Sequence, residues 1–314
     1  MNFREVEEAF KKQEGIVHRT PLITSSTLNN LTGNRVYLKL ENFQKTGSFK
    51  VRGAYNKISS LKREEIERGV ITASSGNHGQ AVAYVARLMN IPAKIVVPED
   101  AAETKINAIK GYNAQVIKHG YTTDERKALA QKLAREERYF YIDSYDDYHI
   151  IAGQGTVGLE IVQQEKPDII VAPIGGGGLI SGISLLKQKF PEIKVVGVEP
   201  LHSASMYLSI TRGRVTELEK IKTIADGLRA KKPGEKTFEI VEKYVDEIVR
   251  VEEEDIIDVL KFLLERIKIL AEPSGAVSLA GVVSGRLPCR DKKIAVVISG
   301  GNVDLNTLAS LIHT

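Results

Sequence analysis

Three features of the sequence predict an α/β fold of two open parallel-sheet lobes. Short apolar runs rich in β-branched residues alternate with longer segments of helical periodicity along most of the 314 residues. The alternation comes in two sets, the second beginning after Tyr145-Asp146-Asp147-Tyr148. A chain of this length is also too long for one small core.

Ahead of the first set, Val6 to Phe10 reads as part of a short amphipathic helix. Ser25 to Gly33 reads as a helix closed by its glycine, and the alternating Arg35 to Leu40 as a strand. The first set contains four strands, over 69–73 (GVITA), 94–98 (KIVVP), 114–118 (AQVIK) and 139–142 (YFYI). Helices are expected from Gly79 to Asn90 and from Thr123 to Arg138, which makes the four strands a parallel sheet. The second set has strands over 168–174, 194–199 and 293–299 and helices over 153–164, 179–190 and 255–269. In the last of these, Ile256, Leu260, Leu263, Leu264 and Ile267 share one face, and acidic residues gather at its start.

Composition narrows the function. With 42% hydrophobic and 27% charged residues the chain is a globular protein in type. It holds no run of 18 apolar residues, and its N-terminus is charged, so a cytoplasmic location is the default expectation. The single cysteine, Cys289, has no partner for an internal disulfide and no metal-ligand companions. A net charge of +4 is dispersed over mixed-sign helices, which predicts neither a nucleic-acid nor a membrane surface.

Chemistry is suggested by one lysine and three loops. Lys50 follows a Thr-Gly-Ser turn at the start of a helix and has Phe49, Lys45 and Arg52 for neighbours. A lysine is a nucleophile only where burial, positive charge or imine formation disfavours its ammonium form. Otherwise Lys50 is one solvated lysine among 44 Lys and Arg. The loops sit at the C-terminal ends of predicted strands, where ligands collect in open α/β sheets. Ser74-Ser75-Gly76-Asn77-His78-Gly79 offers hydroxyls and helix-start amides to a carboxylate, or caps its helix. His78 is read there as a structural or binding residue. Gly175-Gly176-Gly177-Gly178-Leu179 lets amides converge on a phosphate, or forms a plain turn. It matches neither a Walker loop nor Gly-x-Gly-x-x-Gly, although Glu199, about 20 residues on, stands where a dinucleotide fold has its ribose acid. Ser299-Gly300-Gly301-Asn302 could meet a ring nitrogen or cap the next helix.

Taken together, Ser48 to Ala54, Ser74 to Gly79, Gly153-Gln154-Gly155-Thr156, the four glycines 175–178 and Ser299 to Asn302 resemble the fold-type II pyridoxal phosphate enzymes, the tryptophan synthase β-like kind. Within them they resemble the threonine dehydratase and serine racemase family. The resemblance implies a large cofactor-binding domain of 1–43 and 145–314 and a small domain of 44–144. Pyridoxal 5'-phosphate would be carried as an imine on Lys50, which would also act as base on one face. Phe49 would pack on the ring, Asn77 meet the ring hydroxyl, Gly175 to Gly178 and Leu179 hold the phosphate, Ser299 face the ring nitrogen and Gly227 flank the ring. Ser74, Ser75, Gly76, Asn77 and His78 would receive the substrate carboxylate, with Ser75 an acid or base on the other face.

The implied activity is dehydration of L-threonine, and of L-serine, to a 2-oxo acid and ammonia, a reaction of isoleucine biosynthesis. A racemase of serine or another small amino acid is the alternative, and a nicotinamide-dependent oxidoreductase a weaker one. Relatives imply a homo-oligomer, dimer or tetramer, acting on a small amino acid. Some hold a divalent cation after the strand that ends here in Glu199, with an aspartate six residues on; this chain has Ser205 there, so no metal is expected. Because the chain stops a short helix after Asn302, control by a C-terminal regulatory domain is not expected. Tyr145, in the segment that closes over substrate in relatives, fits the methyl of threonine.

Overall fold

The computed structural model describes residues 1–313. Its ten strands are β1 (Leu22–Thr24), β2 (Arg35–Leu40), β3 (Val70–Ala73), β4 (Ala93–Val97), β5 (Gln115–Lys118), β6 (Phe140–Tyr141), β7 (Ile169–Pro173), β8 (Lys194–Pro200), β9 (Glu247–Val251) and β10 (Lys293–Ile298). They form two sheets. One has six strands in the order β1-β2-β10-β7-β8-β9 and the other four in the order β5-β4-β3-β6. Every pairing is parallel except β1 with β2. The fold is therefore the expected pair of parallel-sheet lobes.

Period 2 explains how the large sheet is sandwiched. Leu38, Val171, Val196 and Val296 point to one face, against Ile256, Val277 and Leu279 of the helices Glu253–Phe262 and Pro273–Val283. Ile170, Ala172, Ala295 and Val297 point to the other, against Ile151, Val157, Ile180 and Ile183 of the helices Tyr148–Gln164 and Gly178–Ser184. Apolar residues on both faces are why these strands read as continuous hydrophobic runs. In the smaller sheet Val70, Ile95 and Val97 meet the helices Lys50–Ile58 and Asn77–Leu88, while Ile71 and Val96 meet Ala130 of the helix Thr123–Glu136.

Some boundaries differ from the sequence expectation, each for a local reason. The 255–269 helix is α-helical only to Phe262, passes through a π turn at Leu263–Ile267 and stops at Lys268, whose φ of 64° is left-handed. The 153–164 helix begins earlier, at Tyr148, because the Asp147 carboxylate accepts from the amides of His149 and Ile150. The 179–190 helix tightens to a 3₁₀ turn after Ser184. Several elements had no counterpart in the reading, among them β1, the edge strand β9, the helices Glu103–Lys110 and Glu235–Tyr244, and the helix Pro273–Val283, nearly all of whose residues are buried. That helix has no polar face for a periodicity argument to find.

Candidate active site

The loop before Lys50 is held in an unusual shape. Thr46 and Gly47 both have left-handed backbones, with φ of 63° and 72°. A side chain at Gly47 would collide with the Asn302 amide. Backbone bonds then stitch this turn to the loop after β10. The Phe49 amide donates to the Ser299 carbonyl at 3.2 Å and the Gly301 amide to the Gly47 carbonyl at 2.9 Å. Lys50 and Ser299, 249 positions apart in the numbering, are thus brought to one place.

Below this turn the helix Lys50–Ile58 is locked by charge. Arg52 has no exposed surface and makes two bonds of 2.8 Å to the Glu41 carboxylate and one of 2.8 Å to Glu160. Lys39 adds a bond of 2.6 Å to Glu160. Two cations and two carboxylates balance, so the buried group is neutral as a whole. It ties β2 and the following turn to the helices bearing Lys50 and the 153–156 segment.

The side-chain nitrogen of Lys50 lies 3.0 Å from the Ser144 carbonyl and 5.1 Å from the centre of the Phe49 ring. Burial lowers its pKa to about 8, against the opposing pull of Asp143 and Glu272. Ser144 belongs to a loop fixed by three aspartates. Asp143 accepts from the amides of Tyr145 and Asp146, Asp146 from those of Lys236 and Thr237, and Asp147 caps its own helix.

Tyr145 connects this loop to the glycines. Its ring lies against Gly176, where a side chain would collide with it, and its Cα and Cβ crowd Gly178. Gly177 has φ of 99° and faces Met206 and Thr237 closely. The first amides of the Gly178–Ser184 helix have no intrahelical acceptor. Gly175 in turn faces Gly227 and Leu228. The amide of Gly227 donates to Ser274 Oγ at 2.8 Å.

The Ser74–His78 loop closes the site from the smaller lobe. Gly76 precedes the helix that starts at Asn77, and Ser74 Oγ accepts from the Gly76 amide at 3.3 Å. Ser75 is half-buried. His78 is buried, with Nε2 3.4 Å from the Ile142 carbonyl and Nδ1 without a partner among the described residues. Burial, then the nearby Lys50 charge, push its pKa down to about 3, so the ring is neutral. Asn77 bonds to two residues of the larger lobe. Its Nδ2 donates to Glu272 Oε1 at 2.6 Å and its Oδ1 accepts from Asn302 Nδ2 at 2.7 Å. Ser299 is buried, its hydroxyl 3.4 Å from the Ser274 carbonyl.

Glu272, Ser274, Asp143 and Ser144 escaped sequence reasoning. One signal was available for the first two: Glu272-Pro273 ahead of an apolar run marks a helix start with proline at its first position. The loop of Asp143 and Ser144 carries no motif. Glu199 differs from its expected position as a ribose acid. It is fully buried, and its two oxygens accept from the Met206 and Tyr207 amides at 3.0 and 2.7 Å, so both are already engaged. The nicotinamide reading loses its second anchor. Among the described residues no three His, Cys, Asp or Glu side chains group as metal ligands, and no helix is long and apolar enough to cross a membrane.

A buried amine of lowered basicity, a glycine loop with free amides, and buried hydroxyls at Thr46 and Ser48 without partners among the described residues suit a phosphorylated carbonyl cofactor. Residues 14–300 match the family described as pyridoxal-phosphate dependent enzyme. The chain belongs to this family, and its cofactor is pyridoxal 5'-phosphate. It is similar to an L-threonine ammonia-lyase of Thermotoga maritima, with 48% identity over all of this chain and 78% of that protein. A serine racemase of Dictyostelium discoideum is 41% identical over all of this chain and 98% of that one. Among solved structures, the processed threonine deaminase isoform 2 of Solanum lycopersicum superimposes with a TM-score of 0.94 at 35% identity, covering 99% of this chain and 92% of that one.

Proposed function

We propose that the protein is an L-threonine dehydratase, also acting on L-serine, that releases a 2-oxo acid and ammonia. The observation that carries this reading is Tyr145, whose ring lies against Gly176 and offers an apolar wall to the methyl of threonine. The 48% identity to a threonine ammonia-lyase supports it.

Bound at Lys50, pyridoxal phosphate would supply an electron sink for the carbanion left when the α-proton is removed. In this reading the amides of Gly175 to Gly178 and Leu179 bind the phosphate, Phe49 and Gly227 flank the ring, Asn77 meets the ring hydroxyl and Ser299 the ring nitrogen. A neutral hydroxyl at Ser299 withholds the charge that a carboxylate would give that nitrogen, which favours prompt loss of the β-hydroxyl. Ser74, Ser75, Gly76 and Asn77 receive the carboxylate, and neutral His78 supports them. Lys50 Nζ takes the α-proton, for which a pKa near 8 leaves enough free amine at neutral pH. Water is lost from the β-carbon and regained when the enamine product hydrolyses.

A second reading, racemisation of serine, draws on Ser75. Its hydroxyl makes no hydrogen bond among the described residues and could carry a proton on the face away from Lys50. The two-domain division at about 44 and 144 and a cytoplasmic homo-oligomer complete the proposal. Exposed Phe43 and Leu270, joined through the bond from Asn42 Nδ2 to the Leu270 carbonyl, support association.

The test is release of 2-oxobutanoate from L-threonine by protein loaded with pyridoxal phosphate, with D-serine formation from L-serine measured beside it. Oxo acid is expected as the main product. Absence of oxo acid together with D-serine formation would give the racemase reading instead.

A further inference from the structure

Glu272 is a carboxyl group inside the site with no part in the proposed proton transfers. It is 3% exposed, at the start of the helix Pro273–Val283, with its amide bonded to the Gly300 carbonyl at 3.1 Å. A side chain at Gly300 would meet Glu272 Oε1, so the carboxyl would have to shift to admit one. Its Oε1 accepts from Asn77 Nδ2 at 2.6 Å, and the Asn302 backbone amide also donates to the carboxyl.

The direction of the hydrogen bonds around Asn77 is set from one end. The Thr46 carbonyl can only accept, and Asn302 Nδ2 donates to it at 2.7 Å. The same Nδ2 gives its second hydrogen to Asn77 Oδ1 at 2.7 Å. With that oxygen fixed, Asn77 must turn its nitrogen to Glu272, which accepts. An asparagine amide is nearly symmetric in shape and is oriented only by such partners. Glu272 uses one of the two hydrogens on Asn77 Nδ2, and the other remains. Asn77 belongs to the smaller lobe, and Glu272 and Asn302 to the larger, so the chain of bonds spans the cleft.

We propose that Glu272 is a positioning residue for the cofactor: with Asn302 it locks the Asn77 amide in the flip that leaves one N–H free for the cofactor ring. This rests on the reading in which Asn77 meets the ring hydroxyl. Glu272 itself need not touch substrate or cofactor.

The test uses full-length protein loaded with pyridoxal phosphate and reads the cofactor's dissociation constant and the position of its visible absorption band. Glu272→Leu is expected to weaken binding about tenfold, the loss of one well-placed hydrogen bond, and to shift the band. Glu272→Gln keeps an acceptor oxygen at the same reach and is expected to hold affinity within about twofold with the band in place. A residue that only supported the fold would lower the melting temperature and leave both cofactor readouts alone. If the leucine variant does not melt cooperatively, Glu272→Ser, too short to reach Asn77, is judged by the same criteria. The proposal is overturned if the leucine or serine variant binds within twofold of the parent with an unshifted band, or if the glutamine variant is as weak as they are. Two controls separate this from the reading beneath it. An Asn77→Ala protein with unchanged affinity and band removes Asn77 from the ring and the proposal with it. A Lys50→Ala protein that keeps the band refutes cofactor attachment at Lys50, whatever Glu272 does.

Discussion

The Lys50 amine and the Ser144 carbonyl stand 3.0 Å apart, and that is the one hydrogen bond the Lys50 side chain makes among the described residues. A neutral carbonyl steadies an ammonium less than a carboxylate would, so burial dominates and the amine titrates at about 8. The ordinary value for lysine is 10.5. Competitive labelling of the apoprotein with an amine reagent, followed by peptide mass spectrometry, should place the Lys50 midpoint near 8. A midpoint at the surface value would refute the buried geometry. The sign for stability follows. Between about 8 and 10.5 the unfolded chain holds the proton more often than the folded one, so this group makes folding more favourable as pH rises through that window. Lys50→Ala is expected to abolish turnover and the cofactor's visible band together.

Arg52 should be the most sensitive position for folding near the site. Arg52→Ala leaves Glu41 and Glu160 with Lys39 as their only buried cation, and one carboxylate is then uncompensated. A loss of about 3–5 kcal/mol is expected in denaturant unfolding, carried by the midpoint and not by the slope. Arginine also holds Glu41 below its ordinary pKa in spite of complete burial. That contribution is fully present above the unfolded value of about 4.5 and is lost as pH falls through the lower folded value. A loss below about 1 kcal/mol for Arg52→Ala would mean that water or rearrangement satisfies the two acids.

The parallel strands were legible because a sheet covered on both faces writes its core as short apolar runs, as in β7 and β10. The loops after those strands were expected to collect ligand for a topological reason. What could not be read was which side chains from distant segments meet. Glu272 stands 195 positions from Asn77, and nothing local in either segment records the bond between them. The glycine loop was read as open space for an anion, whereas part of the reason for Gly176 is the Tyr145 ring that fills its side-chain position. Periodicity likewise failed for Pro273–Val283, which is buried on all sides and so has no pattern to show.

Tyr145 is expected to set the preference between threonine and serine. Its ring lies against Gly176, and Lys127 Nζ stands 5.4 Å from its centre. Tyr145→Ala removes the wall proposed to meet the substrate methyl, a difference of one methyl group in binding. The ratio of kcat/KM for threonine over serine should fall about tenfold. An unchanged ratio would show that the methyl is housed elsewhere.

Ser75 separates the two activities this family reading leaves open. Removing the α-proton from an L-amino acid needs a base on one face only, the role proposed for Lys50, whereas racemisation needs a proton donor on the opposite face as well. Ser75 is half-buried in the loop before the helix Asn77–Leu88, and its hydroxyl has no competing hydrogen bond among the described residues. Ser75→Ala should therefore cut D-serine formation from L-serine by about a hundredfold, the lower end of what a positioned acid or base supplies. Oxo-acid release from the L-substrate should fall far less, because the departing β-hydroxyl does not draw its proton from that face. Chiral analysis of serine beside an oxo-acid assay reads both in one reaction. Equal losses would mean that Ser75 only holds the carboxylate, and that the second face has no protein acid at all.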